Sequence, residues 1–158
     1  MAGFFDPGGR LKPTGVDEQM RAGFRWACQY GRTNVVEFLL DRGMPLDARL
    51  RHDGQTGLHW AAGGGHPDIV RLLLERKAAI NVRDKTYGGT PLGWALHGWI
   101  EQPLGADHDG YRDVVALLVA AGATVERDWL DERDEERPLN RKLRADPRMR
   151  AALRGAAR

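Results

Sequence analysis

The chain has 158 residues, of which 42% are hydrophobic and 29% charged, and a formal net charge of +2. This length accommodates one continuous apolar core and the balance excludes a disordered chain. So small a net charge excludes a global field that selects a strongly acidic partner, and a single cysteine, Cys28, excludes an internal disulfide framework.

The opening residues, MAGFFDPGGRLKP, carry no basic stretch followed by a long apolar run, so no signal peptide is evident. No window approaches the roughly 18 apolar residues of a membrane span, and the expectation is a cytoplasmic protein with no membrane partner. Within residues 1–13, FFDPGGRL lines up with LLDRGMPL further on, as though the chain opened on the last turn of an earlier helix. The segment is read as the remnant or tail of a preceding unit. An apolar end left bare there would be covered by missing units, by dimerisation or by the segment folding back.

From residue 14, TGVDEQMRAGFRWACQYG predicts a long first helix, with Thr14 as its cap and Val16, Met20 and Phe24 four apart. Gly31 stands where that helix ends in a left-handed residue, and Gly43 closes the second helix, NVVEFLL. The next stretch, TGLHWAAGGGHPDIVRLLLERKAAIN, repeats the plan. Gly57 takes the first helical position at a cost of roughly 1 kcal/mol. Gly65 ends the helix and Pro67 opens the next, whose Ile69, Val70, Leu72, Leu73 and Leu74 form a wide apolar face. Lys77 falls on a left-handed position, where a side chain costs roughly 1 kcal/mol.

Thr90-Pro91 is a strong helix start, a hydroxyl cap followed by a residue preset for the first turn. Leu92, Ala95, Leu96 and Trp99 carry that helix one or two turns further than its counterparts, until Pro103 stops it. LGADHDG forms the loop back, Gly110 aligns with Gly65, and GYRDVVALLVAAGATV supplies the partner helix, ended by Gly122. Residues 126–158 break the pattern. An acidic run, ERDWLDERDEE, precedes a basic one, with Asp146-Pro147 reading as cap and first residue of a last helix and Leu139 and Leu143 as a further apolar pair. The expectation is a polar helical cap over the last unit; nucleic acid binding through the arginines is the weaker reading, because no aromatic residues interleave them.

The central stretches are copies of one another. A shift of 34 residues brings Leu58 onto Phe24, Trp60 onto Trp26 and Gly65 onto Gly31, and the same shift forward reaches Leu92, Trp94 and Ala95. The rest of the third copy is displaced by 11 more residues, so that Val115 meets Val70. Self-similarity at this period marks a stack of repeated units. TGLHWAAGGGHPDIVRLLLERKAAIN and GGTPLGWAL…GYRDVVALLVAAGATV resemble the ankyrin repeat, against its T-P-L-H-x-A-A-x-x-G-H-x-x-V-V-x-L-L-L pattern. The resemblance implies an all-α solenoid of helical hairpins with short β-turn fingers, in units of about 14–48, 49–82 and 83–125.

Chemistry finds little support. AAGGGHPD has the look of a phosphate loop but lacks the Gly-Lys-Ser/Thr signature and a preceding strand. Asp107, His108 and Asp109 are adjacent, so they cannot all converge on one metal ion. Cys28 matches Ala62, a small packing position, and no triad or carboxylate pair stands apart from the repeats. No cofactor or catalytic residue is assigned. Trp26, Trp60 and Trp94 share one register and are read as core packing, with an exposed aromatic strip as the alternative. The loop after Trp99 is read as a solvated connection or as a contact loop exposing Trp99 and His108.

The resemblance further implies that His59 bonds turn backbone between units and that an unidentified protein partner binds the concave side, on finger tips and first-helix ends. The matching positions are Arg51, His52 and Gln55 on one finger, Lys85 and Tyr87 on the next, and Gln29 and Tyr30 on the first helix. Arg, Tyr, His and Gln there suit a mixed polar and aromatic interface. Two rivals remain: an accessory domain of a longer protein, and a self-associating unit that closes its bare N-terminal end as a homodimer.

Overall fold

The computed structural model describes Pro7 and residues 13–50, 53–103, 108–131 and 133–155. Eight α-helices and one 3-10 turn form there, with no strand beyond a single antiparallel bridge between Leu50 and Gln55. Unit one is α1 (Pro13–Gln29) and α2 (Thr33–Asp41), unit two α3 (Gly57–Gly63) and α4 (Pro67–Glu75), unit three α5 (Pro91–Glu101) and α6 (Asp109–Ala120). The 3-10 turn Arg127–Trp129 leads to α7 (Pro138–Ala145) and α8 (Pro147–Leu153). The hairpins stack in chain order, α1 on α3 on α5 and α2 on α4 on α6. The last two helices continue the stack, α7 against α5 and α8 against α6.

The turns follow from backbone preference. Gly31, Gly43, Gly65 and Gly122 have φ of 71°, 94°, 70° and 100°, values that cost a side-chain-bearing residue roughly 1 kcal/mol or more. Lys77 carries that strain at φ 69°. Gly110, aligned with Gly65 in the sequence, does not share its role: it lies inside α6, and a Cβ there would sit 2.6 Å from the Gly65 carbonyl oxygen. Close approach, not a left-handed turn, requires glycine at that position. Helix α1 begins at Pro13, so Thr14 falls within its first turn and is not its cap.

The core is one continuous layer. Phe24, Cys28, Val36, Leu58, Ile69, Val70, Leu73, Leu92, Val114 and Leu118 are all fully or almost fully buried. Small residues let the first helices approach closely, and the glycine of α3's N-terminus is an instance: a Cβ on Gly57 would come within 2.6 Å of the Phe24 ring and 3.2 Å of Cys28 Sγ. Proline is absent there because the ring of unit one fills the space.

Polar bonds between units repeat with the helices. His66 Nε2 reaches the Gln29 carbonyl at 2.8 Å, and Tyr111 donates its hydroxyl to the equivalent carbonyl of Gly63 at 3.0 Å. The Ala79 amide donates to Asp47 at 3.0 Å, and the Thr124 amide donates to Asn81 at 2.9 Å. Each bond ties a unit to its neighbour alone.

The extra turn of unit three is fixed by the tail. Helix α5 has 11 residues where α3 has 7, and Trp99 at its end is completely buried. Lys142 of α7 donates its ammonium to the carbonyls of Trp99, Ile100 (3.1 Å) and Gln102 (2.8 Å), with Nζ 5.0 Å from the centre of the Trp99 ring. Carbonyls at this end of the helix carry the negative end of its dipole, and the Trp99 carbonyl also accepts the Gln102 amide at 3.2 Å. Burial pushes the Lys142 pKa below its ordinary value, against the pull of Asp146 and Glu101. Arg112 of α6 completes the attachment, pairing at 2.9 Å with Asp146, whose carboxylate also accepts the Met149 amide to cap α8.

Candidate partner-binding face

Two fingers project between the units, and the same bonds shape both. Leu50 donates its amide to Gln55 O at 2.6 Å and Asp84 to Gly89 O at 3.0 Å. The guanidinium of Arg49 donates to Gly54 O and that of Arg83 to Gly88 O, each at 2.6 Å. The Lys85 amide donates to Asp53 O at 2.7 Å, which joins the fingers to each other.

Finger two is tied more firmly. Asp84, buried, accepts from the amides of Thr86, Tyr87 and Gly89 at 2.9, 2.7 and 2.9 Å and from Trp94 Nε1 at 3.0 Å. Burial alone would raise its pKa, but those donors outweigh it and hold the carboxyl below the ordinary value. His59 joins finger two to α3. Its Nδ1 accepts from the Thr56 amide at 3.0 Å, which leaves Nε2 to donate to Gly89 O at 3.1 Å. Burial is the main cause that moves the imidazole's pKa below its ordinary value. The histidine is thus a neutral tie between units.

Tyr87, 80% exposed, crowns finger two beside the exposed Lys85. Next to the fingers the first helices present the tryptophan row, where the core-packing expectation holds for Trp60, which packs partly buried against the core, and needs correction for Trp26. Trp26 is 56% exposed and stacks at 4.8 Å on Tyr30, itself 52% exposed. Trp60 and Trp94 are half-buried and meet edge to face at 5.3 Å, with the Arg25 guanidinium 5.3 Å over the Trp60 ring. Tyr30, Trp60, Trp94 and His97 wall an open groove of about 300 Å³, with Gln29 and the glycines 63, 64 and 98 among its lining. A helix stripe one position off the core is enough to bring large rings to the surface.

Other expected contact residues lie elsewhere. Gln55 is 3% exposed and cannot offer its side chain to a partner. Trp99 and His108 are also buried, Trp99 under Lys142 and His108 against the Trp99 ring at 6.5 Å, so neither is an exposed contact. Arg51, His52 and Asp107 are outside the described residues, as is the reading of residues 1–12 apart from Pro7. Lys142 was missed altogether: a lysine in a basic tail reads as solvated, and only the flanking Leu139 and Leu143 hint at a helix with a buried side.

The glycine run of AAGGGHPD has three steric duties and no phosphate geometry. Gly63 faces Trp94 at 3.2 Å, Gly64 lies against Gln29 O and the His66 ring, and Gly65 takes the left-handed turn. Burial pushes the Cys28 thiol up to about 12, so it packs as an unreactive small residue. Among the described residues no three His, Cys, Asp or Glu side chains gather as a metal site, and no helix is long and apolar enough to cross a membrane.

Antiparallel helical hairpins piled in chain order, with turn fingers beside their first helices, define a helical repeat protein. The family model for ankyrin repeats, in three copies, matches residues 24–128, more than half of the chain, and the chain belongs to the ankyrin repeat family. No curated protein matches it. Ankyrin repeats generally mediate protein–protein interactions and are typically not enzymes.

Proposed function

We propose that this chain is a non-catalytic interaction module that binds a protein partner on the side formed by its finger tips and first helices. The aromatic groove carries the reading: the exposed Tyr30 and the half-buried Trp60 and Trp94 wall it on a stack of packed helices, and Tyr and Trp are the residues that most often anchor interfaces. The groove lining holds no carboxylate, lysine or arginine, which suits an apolar anchor residue of the partner. Arg49, Lys85 and Tyr87 on the fingers supply the polar and cationic rim. A cytoplasmic setting and a scaffolding role accompany this reading.

Affinity capture with the full chain, followed by mass spectrometry, identifies the partner. Replacing both Tyr30 and Tyr87 by alanine is expected to weaken its retention at least tenfold, while the helical circular dichroism stays unchanged because both rings are largely exposed. Capture that survives both substitutions would move the binding face elsewhere.

A further inference from the structure

The groove beside the first helices is apolar, but its surroundings are cationic. Arg25 lies 5.3 Å over the Trp60 ring, and Lys85 follows Asp84, to which Trp94 Nε1 donates at 3.0 Å. On finger one, Arg49 donates through Nη1 to backbone carbonyls alone, at 2.6 Å to Gly54 and 3.4 Å to Arg83. A Cβ on Gly54 would meet the Lys85 stem at 3.3 Å and the Arg49 guanidinium at 3.5 Å, so two cationic side chains flank one glycine. Among the described residues, none of Arg25, Arg49 and Lys85 has a carboxylate within ion-pair distance. The nearby carboxylates are engaged, Asp84 by its four donors and Glu126 by Arg83 at 3.0 Å. Asp53, half-buried in finger one, pairs with neither cation. At the head of α1, Glu18 and Arg21 carry opposite charges, and the only acid of α5, Glu101, lies one turn beyond His97 and away from the fingers. Like charges held this close disfavour each other until an anion lies between them.

We propose that the partner presents a short acidic segment built around one large apolar side chain, a specification that rests on the partner-binding reading above. The side chain enters the groove between Tyr30, Trp60 and Trp94, whose lining holds no charged group to desolvate. Carboxylates on either side of it pair with Arg25 at the helices and with Arg49 and Lys85 at the fingers. Arg49 spends only Nη1 on the finger carbonyls, which leaves its other nitrogens for a carboxylate, the group that a planar guanidinium bonds best. With a net charge of only +2 on the chain, the match is short-range; it selects among segments already in contact instead of steering them from a distance. Aromatic rings with cations also suit single-stranded nucleic acid, but base stacking uses open ring faces. Here Trp60 and Trp94 cross at 69°, Arg25 lies over Trp60, and Trp26 is stacked on Tyr30 at 4.8 Å. Crossed rings receive an aliphatic or phenyl side chain better than a flat base.

Fluorescence anisotropy with labelled seven-residue peptides and the full chain tests the proposal. The reference peptide has three glutamates on each side of a central phenylalanine; its controls replace the glutamates by lysines or the phenylalanine by glycine. The reference is expected to bind at least tenfold more tightly than either control. Lys85→Glu and Arg49→Gln, both at exposed side chains, are each expected to weaken it at least threefold with unchanged circular dichroism. Lys85→Glu decides should Arg49→Gln alter the spectrum, because the Lys85 side chain bonds nothing in the fold. Equal binding of the glutamate and lysine peptides overturns the acidic specification, and if Tyr30→Ala abolishes both, the groove reading stands without it. Tighter binding of a ten-nucleotide oligothymidylate assigns the face to nucleic acid and overturns the proposal. Binding by none of the peptides overturns it as well, and partner capture then decides the groove separately.

Discussion

Gly57 shows how one residue answers to its neighbours before its own helix. By local propensity a proline at the start of α3 should improve it, and the repeat pattern asks for one. The 2.6 Å approach to Phe24 reverses that expectation. Gly57→Pro is expected to destabilise the fold by roughly 1–3 kcal/mol through overpacking, read as a lower midpoint in chemical denaturation; a higher midpoint would mean that Phe24 can move aside. His59 sets a second single-residue dependence. Its pKa is lowered in the folded state, so the unfolded chain binds the proton more tightly. Its contribution to stability is present above the unfolded value of about 6.5 and is lost as pH falls through the lower folded value. Denaturation midpoints should therefore fall between neutral and mildly acidic pH, and His59→Gln should flatten that slope. An unchanged slope would assign it to other groups.

Among the elements, α5 and α7 depend on each other. The extended helix presents carbonyls and a tryptophan ring at its end, and Lys142 bonds the carbonyls and covers the ring. Replacing Lys142 with methionine keeps the apolar stem and removes the donor. The expected loss is about 1.5–3 kcal/mol, the range for a charged hydrogen bond, measured by thermal or denaturant unfolding. No loss would show that Trp99 packing alone holds the tail. The sequence made the helix pairs legible because apolar spacing, caps and left-handed glycines are local, and three copies reinforced each one. The Asp146 cap and the Pro103 stop belong to that class. What it hid depends on non-local packing. Trp99 and His108 are buried by the tail and by their own hairpin, which no repeat position encodes. Gly110 obeys the Gly65 carbonyl across a unit boundary, and Trp26 is exposed while Trp60 and Trp94 are half-buried because of where the stripe faces once stacked. On the proposed binding side, Tyr30, Tyr87 and Lys85 are exposed at the positions their register assigns, whereas Gln55 turns inward.

At the scale of the molecule, the stack has unlike ends. One is closed by α7 and α8, held by Lys142 and by the Arg112–Asp146 pair. The other shows Val35 and Phe38 to solvent. The proposed partner-binding face runs along the row of first helices, between these two ends.

The bonds that link successive hairpins have a consequence for how such a chain can vary. Tyr111 meets Gly63 as His66 meets Gln29, and Thr124 meets Asn81 as Ala79 meets Asp47, although unit three carries eleven further residues between its first-helix start and its second helix. Spare sequence is thus tolerated at the far bend of a hairpin without disturbing the seams. Novelty in this architecture can be grafted there, at the tips, while the spine keeps its spacing.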